Sequence, residues 1–394
     1  MKKRNLIAVI ALALVFCLFS TGCNEQEKQN NQEDPEDLEY SIPENFVNVN
    51  FGTPAAPQGF ASDISAVELV AGIKIGWNLG NTLDAHPNGE TSWGNPATTK
   101  EMITAIKNAG FNAIRIPVSW YQSADYKYNI SESRMRRVVE TVNYAADNDM
   151  YIILNTHHDE SIFKFMDKDI AASKKAFSKI WGQISYVFRN YNEKLIFEGL
   201  NEPRTIGGSR EWQGGTPEEH ENLNSMHQLF VDIVRASGGN NVKRILMIST
   251  YAASVEPAAV NGLVLPNDPS NTVKKLIVST HSYSPWDFAG VGNGAKTWSK
   301  TNSSDTSAIT SWINRVNTAF ISKGIPVIAG EFGAMNKENE DARAEWAEFY
   351  VNEAKKKGIP CFIWDDGGNF KLFNRSSRTF YYPKILAGLM RGVQ

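Results

Sequence analysis

Eight short apolar segments recur along this chain, and each one ends in polar or aromatic residues. In chain order they are Ile73–Leu79, Ala113–Trp120, Tyr151–His158, Leu195–Glu202, Arg244–Tyr251, Leu276–Tyr283, Pro326–Phe332 and Pro360–Trp364. Their length and composition predict β-strands, and helical patterns lie between them. Because strands that alternate with helices form parallel sheets, eight of them favour a single (β/α)8 TIM barrel of the α/β class. No Gly-x-Gly-x-x-Gly phosphate loop follows the first segment to favour an open doubly wound sheet.

Three of the connecting stretches carry clear helix patterns. Residues Thr98 to Glu101 have the form of a capping box and precede a helix that Gly110 closes. Two further helices are predicted by apolar residues at three- and four-residue spacing, namely Met135, Val138, Val139 and Val142 in one and Ala344, Ala347, Val351 and Ala354 in the other.

The first 22 residues have the pattern of a secretion signal. A basic start, Lys2 to Arg4, precedes the apolar stretch Leu6–Phe19, which is short for a membrane span. The small residues just before Cys23 resemble the bacterial lipoprotein processing box. We therefore expect 1–22 to be a lipoprotein signal peptide and Cys23 to be lipidated, with an ordinary signal peptide cut nearby as the alternative. The expected location is secreted and membrane-anchored, at the cell surface (outer membrane) or facing the periplasm.

A polar segment separates this signal from the globular part. Residues 23–57 are rich in Asn, Gln, Glu, Asp and Pro and contain too few apolar residues to build a core, so they predict a disordered, flexible tether. Phe46–Phe51 is predicted to add a short strand at its far end. Residues 58–394 are globular throughout and predict one catalytic domain, with no separate carbohydrate-binding module.

Cysteine content and charge narrow the class of protein. If Cys17 is removed with the signal and Cys23 is acylated, Cys361 stands alone in an apolar strand, which predicts a buried thiol and no internal disulfide. The net charge of -3 and the absence of a basic run after the signal argue against a nucleic-acid partner. A neutral polymer is the natural ligand, and a monomer is the default state.

Aromatic residues can bind such a polymer, because an aromatic face stacks on the C–H face of a sugar. The chain has ten tryptophans and thirteen tyrosines. We expect about a third of them in a binding groove and the rest in the core.

Each predicted strand ends in a group that can face a common pocket, since barrel active sites lie at the C-terminal ends of the strands. These groups are Asn78, Arg115, His157 with His158, Asn201 with Glu202, Tyr251, His281 with Tyr283, Glu331 and Trp364. Glu202 and Glu331 are the most informative members. Hydrolysis of a glycosidic bond needs a proton for the leaving oxygen and negative charge near the anomeric carbon, and two carboxyl groups with different pKa values supply both.

Seven sequence blocks together resemble glycoside hydrolase family 5, and the resemblance extends from Gln58 to the C-terminus. The blocks are Gly76–Asp84, Arg115–Trp120, Asn155–Asp159, Glu198–Pro203, His281–Tyr283, Gly330–Gly333 and Trp364–Gly367. The first and last blocks are most similar to the subfamily 4 endo-β-1,4-glucanases and xyloglucanases.

The resemblance implies a retaining double displacement on β-linked glucans, without a metal or other cofactor. It makes Glu202 the acid/base and Glu331 the nucleophile, the latter held ionised by Arg115 and the Tyr283 hydroxyl. The surrounding substrate-binding residues would be Arg115, His157, His158, Asn201, His281, Tyr283 and Trp364. The two carboxyl groups are then expected about 5–5.5 Å apart.

Two other functions remain open at this stage. A metal-dependent hydrolase would use His157, His158, Asp159 and His281, although adjacent histidines on one strand should face opposite sides. A non-catalytic glycan-capture lipoprotein would use the aromatic groove but not the carboxylates. Among substrates, β-1,4-glucan comes first, then xyloglucan and mixed-linkage glucan, with xylan or mannan behind. The aromatic residues that would discriminate between them, as stacking platforms or as packing, are Trp93, Trp120, Tyr121, Trp286 and Trp298.

Overall fold

Eight parallel strands hydrogen-bond in chain order and close into a barrel in this computed structural model, which describes residues 43–55, 59–87, 89–269 and 274–394. The strands are β1 Gly76–Asn78, β2 Ala113–Ile116, β3 Tyr151–Asn155, β4 Leu195–Glu198, β5 Leu246–Ser249, β6 Leu276–His281, β7 Val327–Phe332 and β8 Cys361–Ile363. Strand β1 pairs with both β2 and β8, which closes the ring. The predicted (β/α)8 barrel is confirmed, and each predicted segment contains one strand.

Helices lie between successive strands of the described chain. They are α1 Ala66–Ala71, α2 Lys100–Asn108, α3 Glu132–Asp147, α4 Asp167–Phe188, α5 Pro217–Ala236, α6 Pro257–Gly262, α7 Trp286–Ala289, α8 Ser303–Ala319, α9 Glu340–Lys355 and α10 Pro383–Gly392. A short hairpin, β9 Phe373–Asn374 with β10 Thr379–Phe380, follows the barrel. The apolar stripes predicted for α3 and α9 are buried.

Helix α2 begins one residue later than the predicted capping box implies. Thr99, not Thr98, is the N-cap, and its hydroxyl accepts the amide of Met102. Thr98 is held outside the helix, because its amide donates to Glu90 at 2.9 Å and its carbonyl accepts from Arg137 at 2.6 Å. The predicted capping box is therefore wrong, although the helix is present.

Several strands are shorter than their apolar segments. Trp120 and Leu200 lie beyond the ends of β2 and β4 and yet are buried. Loop residues that pack onto the C-terminal end of the barrel are therefore as apolar as strand residues, although they do not join the sheet. As a result, Glu202 lies on a loop past β4, whereas Glu331 lies within β7.

The interior of the barrel has an apolar lower layer and a polar upper layer. The apolar strand residues form one cluster with α1, namely Ala113, Ile153, Ile196, Met247, Ile277, Ile328 and Phe362. Because side chains alternate along a strand, residues two positions further on face the same interior. There the buried side chains are polar, and they include Arg115, Asn155, Glu198, Ser249 and Ser279. Helix α1 thus closes the N-terminal end of the barrel, and polar groups fill the C-terminal end.

Residues 43–55, here called the N-terminal strap, contact the helical layer. Asn45 donates to Gln183 of α4 at 2.9 Å. Arg136 of α3 donates to the carbonyl of Asn50 at 2.8 Å. The folded part of the chain therefore begins before residue 58, where the globular pattern of the sequence starts.

Phe46 anchors this strap in the main hydrophobic core. Its side chain is 1% exposed, and its ring meets Phe51 edge-on at 4.9 Å. The short strand predicted for Phe46–Phe51 is wrong, since Glu44–Phe46 forms a 3-10 helix and the following residues are irregular. A buried aromatic side chain and hydrogen bonds to α3 and α4 thus fix the strap, without the alternating pattern of a strand.

The predicted signal peptide and most of the predicted tether, residues 1–42 with Cys23, lie outside the described residues. Across the described ranges, no helix is both long enough and apolar enough to cross a bilayer. Cys361 is free and buried, as predicted, and burial raises the pKa of its thiol.

Replacing Phe46 with alanine should destabilise the barrel by about 3–4 kcal/mol, because it empties a fully buried aromatic site. Val47, the next residue, is 45% exposed, so Val47→Ala should change stability by less than about 0.5 kcal/mol. Guanidinium unfolding of both variants measures the difference. Equal midpoints for Phe46→Ala and the unsubstituted protein would show that the strap does not unfold with the barrel.

Candidate active site

A buried arginine organises the polar upper layer of the barrel. Arg115 of β2 donates from Nε to Glu198 at 2.7 Å and from Nη2 to Asn201 at 2.6 Å. Its Nη1 donates to Glu331 at 2.8 Å and to Asn78 at 3.1 Å. Burial alone would lower the pKa of Arg115, but the charges of Glu198 and Glu331 outweigh it and raise the pKa. One guanidinium thus fixes groups from β1, β4, β7 and the loop after β4.

Glu331 is held through both carboxylate oxygens. Oε1 accepts from Arg115, and Oε2 accepts from the hydroxyl of Tyr283 at 2.8 Å. The Tyr283 hydroxyl stays protonated, because burial and the neighbouring charge of Glu331 raise its pKa well above the usual value. The Glu331 carboxylate therefore has a fixed orientation at the end of β7.

An irregularity between β6 and β7 sets the position of Glu331. The register passes from Thr280 opposite Ala329 to His281 opposite Glu331, which leaves Gly330 as an extra residue. A Cβ at Gly330 would come within 2.9–3.0 Å of the side chains of Ser279 and His281. Glycine is needed here for this close approach, and such bulges are common beside active sites.

Glu202 and Glu331 both lie close to Nδ1 of His281. The His281 Nδ1 atom lies 2.9 Å from Glu202 Oε1 and 3.7 Å from Glu331 Oε2. One carboxylate oxygen from each glutamate and one ring nitrogen of His281 all lie within 4.8 Å of one another. The loop after β4 and the strand β7 therefore bring two carboxylates into one small pocket.

The two carboxyl groups have different surroundings. Burial on its own would raise the pKa of Glu202, but the hydrogen bond from His281 and the charges of His281, Arg204 and Arg115 lower it. Among these groups, Arg204 is the one that the sequence analysis missed. It directly follows Asn201-Glu202-Pro203, and this adjacency to the motif was the available sequence clue.

Arg204 links Glu202 to a neighbouring loop. Its Nη1 donates to the Glu202 carbonyl at 3.0 Å and lies 3.7 Å from the carboxylate, and its Nε pairs with Glu211 at 3.1 Å. The guanidinium also lies 4.6 Å from the ring centroid of Trp212, which is 58% exposed. This arrangement presents an aromatic face to solvent beside the Glu202 carboxylate, and the sequence analysis did not single out Trp212.

The adjacent histidines do not face opposite sides. Strand β3 ends at Asn155, so His157 and His158 lie in a loop where the alternation of a strand no longer applies, and their rings are 4.5 Å apart. Both have a ligand-type atom within 4.8 Å of a carboxylate oxygen of Asp84. The expectation that His157 and His158 face opposite sides is therefore wrong.

Asp159, also a ligand in the metal-dependent alternative, is occupied elsewhere, because it accepts the backbone amides of Trp120 and Tyr121. Burial raises the pKa of Asp159 to about 6 despite these hydrogen bonds. His281, in turn, pairs with Glu202. The four residues considered as metal ligands thus lie in three places. His157 and His158 lie together, Asp159 binds backbone amides, and His281 lies beside Glu202.

Asn155 determines the proton position on His157. Its Oδ1 accepts the amide of Val118 at 3.1 Å, so its Nδ2 faces Glu198 at 3.0 Å and His157 Nδ1 at 3.1 Å. The amide must then donate to Nδ1, which leaves the ring proton on Nε2. An Nε2–H can donate to a ligand hydroxyl but cannot coordinate a metal.

The pKa values of the two histidines are also shifted in opposite directions. Burial and the nearby positive charges keep the pKa of His157 well below its usual value. Burial lowers the pKa of His158 too, but its contact with Glu160 and the charges of Asp84 and Glu331 outweigh this and raise it. The Trp364 ring stacks parallel to His157, with an angle of 4° between the planes. The pocket wall thus combines a neutral donor with an aromatic face.

Residues 80–369 match the family described as Cellulase (glycosyl hydrolase family 5). This chain belongs to glycosyl hydrolase family 5. It is 45% identical over 352 residues to Endoglucanase B of Neocallimastix patriciarum, covering 84% of this chain and 72% of that protein.

Solved structures that are similar to this chain in sequence and fold carry the name of the same family. A GH5-4 broad specificity endoglucanase from Ruminococcus champanellensis with bound cellotriose is 43% identical and has a TM-score of 0.81, covering 85% of this chain and 100% of that one. A GH5-4 broad specificity endoglucanase from Clostridium acetobutylicum is 43% identical with a TM-score of 0.80, covering 83% and 99%.

The structure of this family 5 member brings the predicted catalytic and substrate-binding residues to the C-terminal end of the barrel, whereas Cys23 lies outside the described residues. Arg115 and His281 join Glu202, Glu331 and Asn201 in one group. Asn155 bonds both Glu198 and His157, and so links this group to the rings of His157, His158 and Trp364. Tyr251 instead supports the scaffold, since its hydroxyl donates to Glu219 at 2.6 Å and accepts the amide of Thr205.

The aromatic candidates divide into two groups. Trp120 and Trp298 are packing residues, because both are buried and donate their indole N–H to backbone carbonyls. Trp93 and Trp286 are 39% and 65% exposed and remain available for stacking. Tyr121 is half-buried. Burial, which sequence does not give, decides which tryptophans can meet a ligand.

Replacing Arg204 with glutamine should raise the pKa of Glu202, because it removes a charge that favours the carboxylate. Arg204→Lys keeps the charge and should leave the pKa closer to that of the unsubstituted protein. Carboxyl-carbon NMR titration measures both shifts, with Glu202→Gln to assign the resonance. An unchanged pKa in Arg204→Gln would contradict the electrostatic role of Arg204.

Proposed function

We propose that this family 5 enzyme is a retaining, endo-acting glycoside hydrolase that cleaves β-1,4-glucosidic bonds in plant cell-wall β-glucans. The observation that carries the proposal is the approach of Glu202 and Glu331 to within 4.8 Å, oxygen to oxygen. Retaining enzymes place their carboxyl groups about 5–5.5 Å apart, and inverting enzymes need about 6.5–9.5 Å to admit a water between them. This close approach of two carboxylate oxygens supports the retaining class.

Glu331 acts as the nucleophile in this mechanism. Its oxygen attacks the anomeric carbon, while Glu202 gives a proton to the leaving oxygen and the glycosidic bond breaks. In the second step Glu202 takes a proton from water, and the resulting hydroxide displaces Glu331. The fixed hydrogen bonds from Arg115 and Tyr283 support this role, since they orient the nucleophile before substrate arrives.

Glu202 needs its proton when substrate is bound, although its pKa in the free protein is lowered. A sugar in the pocket displaces water from around Glu202, so that the charged carboxylate loses the solvation that water gave it. Burial of the carboxyl group then favours the protonated acid. His281, 2.9 Å away, is the partner with which Glu202 can share that proton.

The sugar in the reacting subsite would be held by the remaining predicted residues. Asn201, fixed by Arg115, would bond the 2-hydroxyl, and the neutral His157 would donate from Nε2 to a hydroxyl. His158 would contact the same sugar, and Trp364 would stack beneath it. Support for a glucan as the ligand comes from a related structure with bound cellotriose.

Substrate preference within the family is proposed in the order β-1,4-glucan, xyloglucan and mixed-linkage glucan, ahead of xylan or mannan. Relatives named broad specificity endoglucanases in GH5-4 support both this range and membership of subfamily 4. The enzyme is proposed to act as a monomer and without a metal or other cofactor, since the protonated Nε2 of His157 does not suit a metal ligand.

Replacing Glu331 with alanine should lower hydrolysis about 10,000-fold, because it removes the nucleophile. With 2,4-dinitrophenyl β-cellobioside, added azide should restore turnover and give a glycosyl azide of inverted configuration. Glu202→Ala is the matched control, since azide should then attack the glycosyl-enzyme and give the retained configuration. Retained product from Glu331→Ala would overturn the assignment of the two roles.

A panel of polysaccharides tests the substrate range. Tamarind xyloglucan, barley mixed-linkage glucan, carboxymethylcellulose, glucomannan and xylan are compared by reducing ends and by viscosity, because endo cleavage lowers viscosity early. Binding of these glycans without any cleavage would favour the glycan-capture function instead. Loss of activity in a strong chelator would favour the metal-dependent one.

We also propose that Cys23 anchors the enzyme to the membrane through lipid, at the cell surface or facing the periplasm. Support comes from the small residues before Cys23 and the basic, apolar start of the chain. Cys23→Ser should move the enzyme from the detergent-extracted membrane fraction to the soluble fraction, with unchanged activity on soluble glucan. Equal membrane association of both proteins would contradict the anchor.

A further inference from the structure

Glu198 is a completely buried carboxylate that no step of the proposed mechanism uses. Its side chain has no exposed surface, and it lies in the polar layer below the reacting residues. A buried charge is strongly unfavourable unless it is paired and hydrogen-bonded. The charge of Glu198 therefore needs a partner of opposite charge, and Arg115 is that partner.

The contacts of Glu198 are those of an ionised carboxylate. Oε2 accepts from Arg115 Nε at 2.7 Å and from Asn155 Nδ2 at 3.0 Å, and Oε1 accepts from the Ser279 hydroxyl at 2.9 Å. Three donors thus converge on it. In the resting site Arg115 consequently lies between two carboxylates, Glu198 and Glu331.

Charge moves during the first chemical step. When Glu331 forms its bond to the anomeric carbon, it becomes a neutral ester, and the proton that Glu202 gives to the leaving oxygen leaves a negative charge on Glu202. Arg115 is hydrogen-bonded to Glu331 but not to Glu202. In the covalent intermediate, Glu198 is then the one carboxylate still bonded to the buried guanidinium.

We propose that Glu198 is a positioning residue that keeps Arg115 charge-balanced while Glu331 is esterified, and so selectively assists formation of the glycosyl-enzyme. This inference rests on the proposed function. Without Glu198, the resting pair of Arg115 and Glu331 is still balanced, but the intermediate holds an unpaired buried cation. The barrier to the first step rises, while the second step, in which Glu331 regains its charge, is not slowed.

The electrostatics of Arg115 agree with this role. Burial works against its charge, and the charge of Glu198 is the largest opposing contribution, ahead of that of Glu331.

Glu198→Gln tests the proposal, because it removes the charge and keeps the shape. The amide oxygen can accept from Arg115 and Asn155, and the amide nitrogen can donate to the Ser279 hydroxyl. The probe is 2-deoxy-2-fluoro-β-cellobiosyl fluoride, which forms the intermediate quickly and releases it slowly. The expected result is inactivation at least about 100-fold slower than in the unsubstituted enzyme, with reactivation equal or faster.

Equal slowing of both steps in Glu198→Gln would overturn the proposal, since a merely structural residue affects both. Ser279→Ala is the matched control, because it removes a hydrogen bond to Glu198 and keeps its charge. The ratio of the two rate constants should stay at the unsubstituted value in this variant. A changed ratio in Ser279→Ala would show that local distortion, and not the charge of Glu198, determines this ratio.

A second measurement avoids any risk of misfolding. A crystal structure of the unsubstituted enzyme trapped with the same fluoride should retain the contact of Arg115 Nε with Glu198, and its loss would overturn the proposal. Mass spectrometry of the trapped enzyme should place the label on Glu331. A label on another residue, or none, would instead overturn the proposed function on which this inference rests.

Discussion

The ion pair between Arg115 and its two buried carboxylates is the interaction on which the site depends. A guanidinium inside a barrel must find acceptors for its donors, since a lone buried charge is too costly to keep. Glu198, Glu331, Asn78 and Asn201 supply them from three other strands or their loops. The same bonds that stabilise the cation hold Glu331, the proposed nucleophile, and the side-chain amide of Asn201 in place. Stability and preorganisation therefore come from one set of contacts.

This arrangement is possible because the barrel interior changes character along its axis. The apolar floor, which α1 closes, supplies burial and excludes water from below. Above it, the polar layer is shielded enough for charges to act strongly and near enough to solvent for a polymer to reach Glu202 and the exposed tryptophans. The apolar floor and the polar layer come from inward-facing residues that lie two positions apart on the same strand. Ile196 and Glu198 of β4 illustrate this, since one belongs to the floor and the other binds Arg115.

Much of the fold could be predicted from local patterns. The eight strands were found because each is an apolar run between helices, and the two glutamates because each stands where such a run meets a loop. Exact strand ends could not be predicted, since Leu200 is as apolar as a strand residue but packs from a loop. The strap was missed for a related reason. A single anchor, Phe46, does not produce a periodic pattern within a polar segment.

By itself, the sequence determined the barrel, the family-like blocks and the two carboxylates, because these depend on periodicity and on short motifs. Tertiary structure alone decided which groups meet. It placed His157 beside His158 past the end of β3, and Arg204 against Glu202. It also made Glu198 the partner of Arg115, 83 residues away along the chain. Contacts of this kind depend on how strands from distant parts of the chain align around a closed ring, and no local pattern carries that information.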